Sequence, residues 1–358
     1  MAYERKNIEA MQGYTSGEQP QDAKALKLNT NENPYPPSPA VAEALARFDV
    51  STLRRYPPPH ADEFRRAAAA MHGMRAANIL ATNGGDELLR LCVTTFIEPG
   101  SSLGVANPSY SLYPVLAAIH DCPVCAADLE SDWSLPGSFA AQMNDGDAKL
   151  TCLVNPHGPS GRLTEVEALD AIARDLDGVL LVDEAYVDFV DPAIGYDSLE
   201  LVRSHDNVIL LRSLSKGYSL AGLRFGYAVA SESLIEPMLT KTRDSYNLDT
   251  IAQRLACAAL EGRGYAQDTW RRVREERTRL NRALDDLGLP CPASQSNFLL
   301  AARSEDSSPA ARDIYEALKT RNILVRYFDQ PRLANRLRIT VGTPQENTTL
   351  LEALAKIV

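Results

Sequence analysis

The chain has 358 residues, of which 45% are hydrophobic and 23% are charged, a composition typical of a soluble globular protein with a sizeable core. Its formal net charge of −10 argues against a nucleic-acid-binding protein, since such proteins are more often basic. No apolar run reaches the roughly 18 residues of a membrane-spanning helix, and the opening stretch MAYERKNIEAMQGY lacks the apolar core of an export signal. We therefore predict a cytoplasmic protein.

The six cysteines do not follow a metal-binding pattern. Cys122 and Cys125 form a CxxC, but no second pair follows at the spacing of a zinc site. The stretch around them also has the character of a strand. We expect buried or half-buried thiols and no metal.

From about residue 78 the sequence alternates short apolar runs with helical patterns. The runs that we predict to be strands are NILAT (78–82), SLGVA (102–106), CPVCAA (122–127), KLTCLV (149–154), GVLLVD (178–183), NVILLR (207–212) and FGYAVA (225–230). Apolar residues recur at helical spacing in 86–97 and 164–176. Runs without strict polar alternation suit strands buried on both faces, so the pattern predicts an α/β domain with a largely parallel sheet. In such sheets a ligand binds at the carboxyl ends of the strands.

The last hundred residues differ in pattern and predict a smaller α+β unit. A long charged helix at 265–288 is followed by NFLLAA, a helix near 308–320, and the runs ILVRYF and LRITVG. The Pro/Asn-rich stretch NTNENPYPPSP near the N-terminus is expected to pack on this unit. We predict an N-terminal arm with part of the small domain (1–50), a large domain (51–260) and a C-terminal small domain (261–358).

Two of the predicted strand ends carry candidate ligand-binding residues. ATNGGDELLR places Gly85 and Asp86 between a strand and a helix, where free backbone N–H groups bind phosphate. The same pattern also fits a tight turn with Asp86 as N-cap. Tyr110 follows the next strand, where an aromatic ring either stacks on a planar ligand or belongs to the core.

Two further strand ends carry groups that need a partner. Asp183 ends a strongly apolar run, and Tyr186 follows three residues later in VDEAYVDF. A carboxylate that leaves a buried strand is costly unless it is paired, and a protonated ring nitrogen would pair it. Lys216 lies in the small, polar loop of RSLSKGYSLAGLRFGY, a setting that suits a lysine forming a Schiff base.

Ser213, Ser215 and Arg224 flank this lysine. Taken in chain order, the strand ends supply partners for a phosphate, a flat ring, a ring nitrogen, a phenolic oxygen and an aldehyde. These are the groups of pyridoxal phosphate. Each match alone is weak, but the ordered set predicts this cofactor.

The ordered set resembles the fold-type I aminotransferases of the aspartate aminotransferase superfamily. Among them the chain is most similar to the histidinol-phosphate aminotransferases. The similarity runs through the motifs LNTNENPYPPSP, RRYPPP, NGGDELL, PSYSLYP, VDEAYVDF, SLSKGYSLAGLRFGYA, ILVRYF and LRITVGT. It implies an α/β fold with a large domain, whose mostly parallel sheet is flanked by helices, and a smaller α+β domain built from the N- and C-terminal segments.

The resemblance implies a role for each matched residue. Lys216 would hold the cofactor covalently and move the proton at the substrate Cα, Asp183 would keep the ring nitrogen protonated, and Tyr186 would donate to the phenolate oxygen of the ring. The other implied cofactor contacts are Tyr110 on the ring face and Gly85, Asp86, Ser213, Ser215 and Arg224 on the phosphate. Tyr56 of RRYPPP would reach the cofactor phosphate of a second subunit, which implies an obligate homodimer.

One motif departs from the family pattern. The family usually has N-N-P-T-G, and the asparagine before proline binds the phenolate oxygen of the ring. Gly158 of HGPSG stands at that position here and offers no side chain. Either Asn155 or His157 substitutes for it, or Tyr186 acts alone and His157 only shapes the turn.

The implied substrates are anions. Histidinol phosphate carries a phosphate and glutamate carries a second carboxylate, and the resemblance makes Arg326 and Arg338 their cationic partners. Tyr14 matches a tyrosine that closes over the substrate phosphate, although a tyrosine in a terminal arm also fits a plain surface position.

The reaction implied by the resemblance is transamination in histidine biosynthesis, in which L-histidinol phosphate and 2-oxoglutarate give imidazole-acetol phosphate and glutamate. Two alternatives use the same scaffold: an aromatic-amino-acid aminotransferase and a threonine-phosphate decarboxylase. A regulatory domain that only binds the cofactor is disfavoured, because the chain has no basic cluster for DNA.

Overall fold

Three sheets organise the molecule. The computed structural model describes residues 3–20, 22 and 24–358. The strands within these residues are β1 (Leu26–Lys27), β2 (Ile79–Thr82), β3 (Ser102–Asn107), β4 (Val124–Asp128), β5 (Ala148–Val154), β6 (Val179–Asp183), β7 (Val208–Ser213), β8 (Gly226–Ala230), β9 (Phe298–Ala302), β10 (Ile323–Leu324), β11 (Arg326–Tyr327) and β12 (Arg336–Thr340).

Helices connect and cover these strands. The α-helices within the described residues are α1 (Lys6–Ala10), α2 (Pro39–Ala46), α3 (Asp62–His72), α4 (Gly84–Phe96), α5 (Leu112–Ile119), α6 (Phe139–Asp145), α7 (Val166–Asp175), α8 (Leu199–Ser204), α9 (Glu232–Pro237), α10 (Thr250–Glu261), α11 (Arg263–Asp286), α12 (Ala311–Lys319) and α13 (Pro344–Leu354). Short 3₁₀ turns lie at Val50–Arg54, Ala76–Asn78, Val187–Phe189, Pro192–Ile194 and Ala221–Leu223, and a π-helical turn lies at Met238–Thr242. Within these residues, no helix combines the length and apolar character needed to cross a bilayer.

The largest sheet has seven strands in the order β2-β8-β7-β6-β5-β3-β4. The pairs from β4 through β7 are parallel, and only β8 runs antiparallel to its neighbours β7 and β2. This confirms the predicted α/β fold with a mostly parallel sheet. Each of its seven strands was predicted from its apolar run, and the observed ends differ from the predicted ends by no more than two residues.

Apart from the largely exposed edge strand β4, the strands of this sheet are buried on both faces because helices cover both sides. In β6, Leu180 and Val182 pack in one hydrophobic cluster, whereas Leu181 between them packs in the other. Ile209 and Leu210 of β7 divide in the same way. Alternate residues therefore enter two different cores, and the sequence shows continuous apolar runs for this reason.

The N- and C-terminal segments meet in two small sheets. β1 pairs in parallel with β10, and β11, β12 and β9 form an antiparallel sheet. The predicted single run ILVRYF is two short strands, because Val325 turns its side chain into the core at 2% exposure and separates β10 from β11. The N-terminal segment thus packs on the C-terminal unit, as predicted, while the proposed domain boundaries stay a prediction.

Candidate active site

A cavity of about 270 Å³ lies at the carboxyl edge of the seven-stranded sheet. Residues from the large sheet, the N-terminal segment and the C-terminal sheet surround it. The predicted site residues that line it are Tyr14, Gly85, Asp86, Tyr110, Asp183, Tyr186, Ser213, Ser215, Lys216, Arg224, Arg326 and Arg338. The topology explains this gathering, because parallel strands end at one edge and the loops that follow them meet there.

Lys216 directs its amine into this cavity from the loop after β7. Its Nζ donates a hydrogen bond to the carbonyl oxygen of Thr30 over 2.8 Å. Burial, reinforced by the positive charge of Arg338, lowers the pKa of Lys216 to about 8, although the carboxylate of Glu32 opposes this shift. A lysine with this pKa is partly neutral near physiological pH, so its amine is available as a nucleophile and as a base.

Asp183 ends β6 beneath the cavity and is only 5% exposed. The hydroxyl of Tyr113 donates to Asp183 Oδ2 over 3.1 Å, and the backbone N–H of Ala185 donates to Oδ1 over 3.1 Å. Burial raises the pKa of Asp183 to about 6, while both hydrogen bonds act in the opposite direction. A buried carboxylate with two fixed donors is suited to receive a cationic N–H from a ligand in the cavity.

The start of α4, together with the guanidinium of Arg224, forms one end of the cavity. Gly85 and Asp86 lie in the first turn, where backbone N–H groups have no partner within the helix. The guanidinium of Arg224 lies beside them, with Nη2 3.1 Å from Asp86 Oδ2. Gly84 has a φ of +76°, a backbone conformation that favours glycine, and a Cβ there would lie 2.7 Å from Arg224 Nη2.

Aromatic rings form one wall of the cavity. Tyr110 meets Tyr14 edge to face with ring centroids 5.9 Å apart, and it meets Tyr113 in the same way at 5.5 Å. The arm residue Tyr14 therefore lies at the cavity, as the resemblance implied, instead of at a position remote from it.

Two arginines form the opposite end. Arg326 and Arg338 are cross-strand partners on β11 and β12, and both guanidinium groups lie over the ring of Phe328. Nη2 of Arg338 donates to Asn29 O over 3.1 Å, whereas its Nε is buried without a hydrogen-bond partner among the described residues. An unpaired buried donor of a cation is costly, so this end of the cavity is suited to an anion.

Three predicted residues do not line the cavity. Tyr56 is 80% exposed and stacks on Tyr246 with ring centroids 4.4 Å apart. The buried imidazole of His157 links Ser160 Oγ at 2.8 Å to the carbonyl oxygen of Pro108 at 2.9 Å. These contacts favour the interpretation that His157 shapes the turn, and its assignment as a cofactor contact stays a prediction.

Asn155 is also engaged elsewhere. Its Nδ2 donates to Thr164 O and to the hydroxyl of Tyr196, and its Oδ1 accepts from Thr164 N–H. Tyr196 in turn donates to Glu184 Oε1 over 2.9 Å. Both ends of the Asn155 amide are therefore occupied at the strand ends, and its assignment as a cofactor contact stays a prediction.

Several residues that the sequence reasoning missed support the site. Tyr113 holds Asp183, and Thr30 holds Lys216. Glu184 and Arg212 form a buried ion pair, with Oε2 and Nε 2.6 Å apart, next to the ends of β6 and β7. Tyr113 follows Tyr110 by three residues, which was the one available signal. The other contacts join residues far apart in sequence.

The fold and the site define a class of protein. The chain belongs to the aminotransferases: the family described as "Aminotransferase class I and II" matches residues 23–354. It is therefore an aminotransferase.

Relatives narrow the class. The chain is 40% identical to "Histidinol-phosphate aminotransferase 1" of Trichormus variabilis over 99% of both chains. It is 41% identical to "Histidinol-phosphate aminotransferase" of Geobacter sulfurreducens, again over 99% of each. The crystal structure of histidinol-phosphate aminotransferase from Sinorhizobium meliloti in complex with pyridoxal-5'-phosphate superposes with a TM-score of 0.92 at 25% identity, covering 100% of this chain and 98% of that chain.

The residues in the cavity fit pyridoxal phosphate. Lys216 offers an amine for the aldehyde, Asp183 offers a buried carboxylate for the ring nitrogen, and the start of α4 with Arg224 offers donors for the phosphate. The family and this donor set agree, so the cofactor of this protein is pyridoxal phosphate.

Proposed function

We propose that the protein transaminates L-histidinol phosphate with 2-oxoglutarate, giving imidazole-acetol phosphate and glutamate. The observation that carries this proposal is the pair of cross-strand arginines, Arg326 and Arg338, that lines the same cavity as the amine of Lys216. A phosphate and a second carboxylate are both anions that a guanidinium recognises. The relatives named for this reaction support the choice.

The cofactor and the side chains of the cavity have separate roles in this reaction. Pyridoxal phosphate, when bound, supplies an aldehyde that condenses with amines and a ring that accepts electrons from the substrate Cα. Asp183 holds the ring nitrogen in its charged form. The neutral amine of Lys216 is the base that takes the proton from the substrate Cα and returns it to another carbon. Arg326 and Arg338 hold the anionic end of the substrate and so fix the distance between its Cα and Lys216.

The test is a half-reaction followed by absorption. The loaded enzyme is mixed with L-histidinol phosphate in the absence of any keto acid. We expect the visible band of the cofactor held at Lys216 to disappear and to return when 2-oxoglutarate is added. Persistence of the band with histidinol phosphate, together with its loss on adding phenylalanine, would identify an aromatic-amino-acid aminotransferase. Release of CO2 from threonine phosphate would identify the decarboxylase.

A matched pair of variants tests the anion site. Arg326→Gln should raise KM for histidinol phosphate by roughly tenfold or more, because a charge-assisted contact is lost. Arg336→Gln is the control, since the guanidinium of Arg336 lies over Trp133, 5.2 Å from its ring centroid, and Arg336 does not line the cavity. Equal effects of the two variants would argue against the assigned anion site.

We further propose a homodimer in which Tyr56 completes the cofactor site of the second subunit. The support is the exposed position of its ring, which stacks on Tyr246 and lies outside its own cavity. Exposed stacked aromatics of this kind suit a protein interface.

Complementation between two variants tests the dimer. Tyr56→Ala should weaken cofactor binding, and so should Lys216→Ala. When the two chains are co-expressed, the hybrid dimer has one site with both Lys216 and Tyr56, and that site should bind the cofactor as tightly as the original protein. A monomer in solution, or no restored site, would contradict the proposal.

We also propose that the protein works in the cytoplasm. Its six cysteines are all free thiols, which fits a reducing compartment. Fractionation of cells that express the protein at its natural level would test this location.

A further inference from the structure

Tyr186 lies at the cavity with its phenol oxygen bound to one side chain. Nδ2 of Asn31 donates to Tyr186 OH over 3.0 Å, and the phenol makes no other hydrogen bond to the described residues. The ring of Tyr186 is held edge to face against Phe298, with centroids 5.0 Å apart. The position of the ring is therefore fixed by packing, while the direction of its hydroxyl proton depends on Asn31.

The orientation of the Asn31 amide follows from Thr340. The backbone N–H of Asn31 donates to Thr340 Oγ1 over 3.0 Å, so this hydroxyl is an acceptor and directs its own proton to Asn31 Oδ1, 3.1 Å away. The amide oxygen thus faces Thr340, and the amide nitrogen faces Tyr186. With a donor on its oxygen, the phenol of Tyr186 is left to donate its own proton elsewhere, and the cavity is open to it.

The backbone of Asn31 is also fixed. Its φ is 58°, in the left-handed region that asparagine tolerates better than most residues. Asn297 Nδ2 donates to the carbonyl oxygen of Asn31 over 2.8 Å, and Asn31 is only 1% exposed. The amide therefore has one conformation, which a positioning group needs.

The position beside the ring of Tyr186, which Gly158 occupies, supplies no polar side chain. Gly158 lines the cavity there, and a Cβ on it would meet only Val154 Cγ1 at 3.8 Å and Tyr186 Cε2 at 4.0 Å. Neither Asn155 nor His157 turns a side chain into that space, because both are engaged outside the cavity. Among Asn155, His157, Gly158 and Tyr186, only Tyr186 therefore has a polar side chain at the cavity that would reach the phenolate oxygen of a bound ring.

We propose that Asn31 is a positioning residue that turns the proton of Tyr186 toward the phenolate oxygen of the cofactor and so compensates for the missing side chain at Gly158. The proposal rests on the transaminase function above, but it concerns the bound cofactor and does not depend on the identity of the amino substrate. Arg338, Asp183, Tyr14 and Tyr110 are other titratable or charged groups that interact electrostatically with Tyr186, and none of them donates a hydrogen bond to its oxygen.

The experiment is a pH titration of the visible band of the loaded enzyme, without substrate. A donor on the phenolate oxygen favours the form of the bound cofactor that has released its imine proton. Asn31→Gly removes the amide and keeps a residue suited to the left-handed backbone. We expect the midpoint of the titration to move upward by about half to one pH unit, the equivalent of one modest hydrogen bond.

Asn322→Gly is the matched control, because Asn322 has a φ of 57°, lies at the surface and does not line the cavity. Thr340→Val is a second variant, since it removes the hydroxyl that orients the amide while keeping the shape of the side chain. It should move the midpoint in the same direction by a smaller amount, and it carries the test if Asn31→Gly does not fold.

A double-variant cycle separates a positioning role from a direct one. Tyr186→Phe should move the midpoint upward by itself, and Asn31→Gly should add nothing in that background. The proposal would be overturned if Asn31→Gly raised the midpoint as much in the Tyr186→Phe background as in the original protein. It would also be overturned if Asn31→Gly alone moved the midpoint no more than Asn322→Gly does. None of these outcomes involves histidinol phosphate, so a wrong substrate would leave the result unaffected.

Discussion

The hydroxyl of Tyr113 donates a hydrogen bond to Oδ2 of Asp183 over 3.1 Å, within the buried layer under the cavity. Tyr113 is 1% exposed and Asp183 is 5% exposed, so water does not replace this donor. The bond stabilises the charged carboxylate, which the cofactor nitrogen needs as its partner. It opposes the burial that raises the pKa of Asp183 to about 6.

Removing this donor should raise the pKa of Asp183 further. A carboxyl group whose pKa is higher in the folded state stabilises the fold below its unfolded pKa of about 3.9, and this contribution is lost as the pH rises through the folded pKa. In the cofactor-free chain the loss should therefore span about pH 4 to 6, and in Tyr113→Phe it should extend about one pH unit higher. The measurement is the free energy of unfolding in urea against pH, with Asp183→Asn as the reference without this group.

Tyr227→Phe is the control for that series. Tyr227 is also buried, and its hydroxyl lies 2.9 Å from Nε2 of His72, away from Asp183. Its loss should lower the free energy of unfolding without moving the pH range assigned to Asp183. If Tyr113→Phe leaves that range unchanged, the hydrogen bond does not control the ionisation of Asp183.

The amine of Lys216 should react with the cofactor over an unusual pH range. Only the neutral amine adds to an aldehyde, and the pKa of Lys216 is about 8, compared with about 10.4 for a free lysine side chain. The rate of loading of the cofactor-free chain should therefore rise with pH and level off a little above pH 8. Absorption after rapid mixing measures this rate.

Two charged neighbours of Lys216 should move the midpoint of this curve of loading rate against pH in opposite directions. Arg338→Met removes a positive charge that lowers the pKa of Lys216, so the midpoint should rise. Glu32→Gln removes a negative charge that raises the same pKa, so the midpoint should fall. Shifts of the same sign in both variants would show that the charges of these two side chains do not set the pKa.

The buried pair Glu184 and Arg212 should be essential for stability. The side chain of Glu184 is 0% exposed, and Arg212→Met would leave its carboxylate without a cation in a site that water does not reach. We expect the free energy of unfolding to fall by about 3–5 kcal/mol. Arg271→Met is the matched control, since Arg271 pairs with Asp268 and Glu275 on the exposed face of α11 and should leave stability nearly unchanged. Similar losses in both variants would contradict the importance of burial.

The sequence predicted the large sheet well because most of its strands are buried on both faces and separated by helices with clear periodicity. It also predicted the residues that follow each strand, such as Asp183 after β6 and Lys216 after β7. The end of a strand is a local feature of the chain, and the convergence of these ends follows from the parallel topology alone.

The contacts between distant segments were not predictable in this way. Asn31 meets Tyr186 and Thr340 because β12 and the segment after β1 pack together, and no local pattern marks a pairing over 309 residues. The partners of Asn155 and His157 were not predictable for the same reason, since they are set by the folded loops. Motif matching located the strand ends, but it did not show where each side chain in a turn would point.

Gly158→Asn should add a second donor beside Tyr186. A Cβ at this position meets its neighbours at ordinary contact distances of 3.8 and 4.0 Å, and the backbone there does not have a positive φ, so the substitution fits without strain. The new amide should donate to the phenolate oxygen of the bound cofactor and lower the midpoint of the pH titration of the visible band by up to about one pH unit.

The same substitution should restore the midpoint in the Asn31→Gly background, because the new amide then supports the charge on that oxygen directly and does not depend on the orientation of the Tyr186 hydroxyl. Gly222→Asn is the control, since Gly222 has open space around it and does not line the cavity. A midpoint that rises with Gly158→Asn, or stays where it is, would mean that the space beside Tyr186 does not give access to the phenolate oxygen.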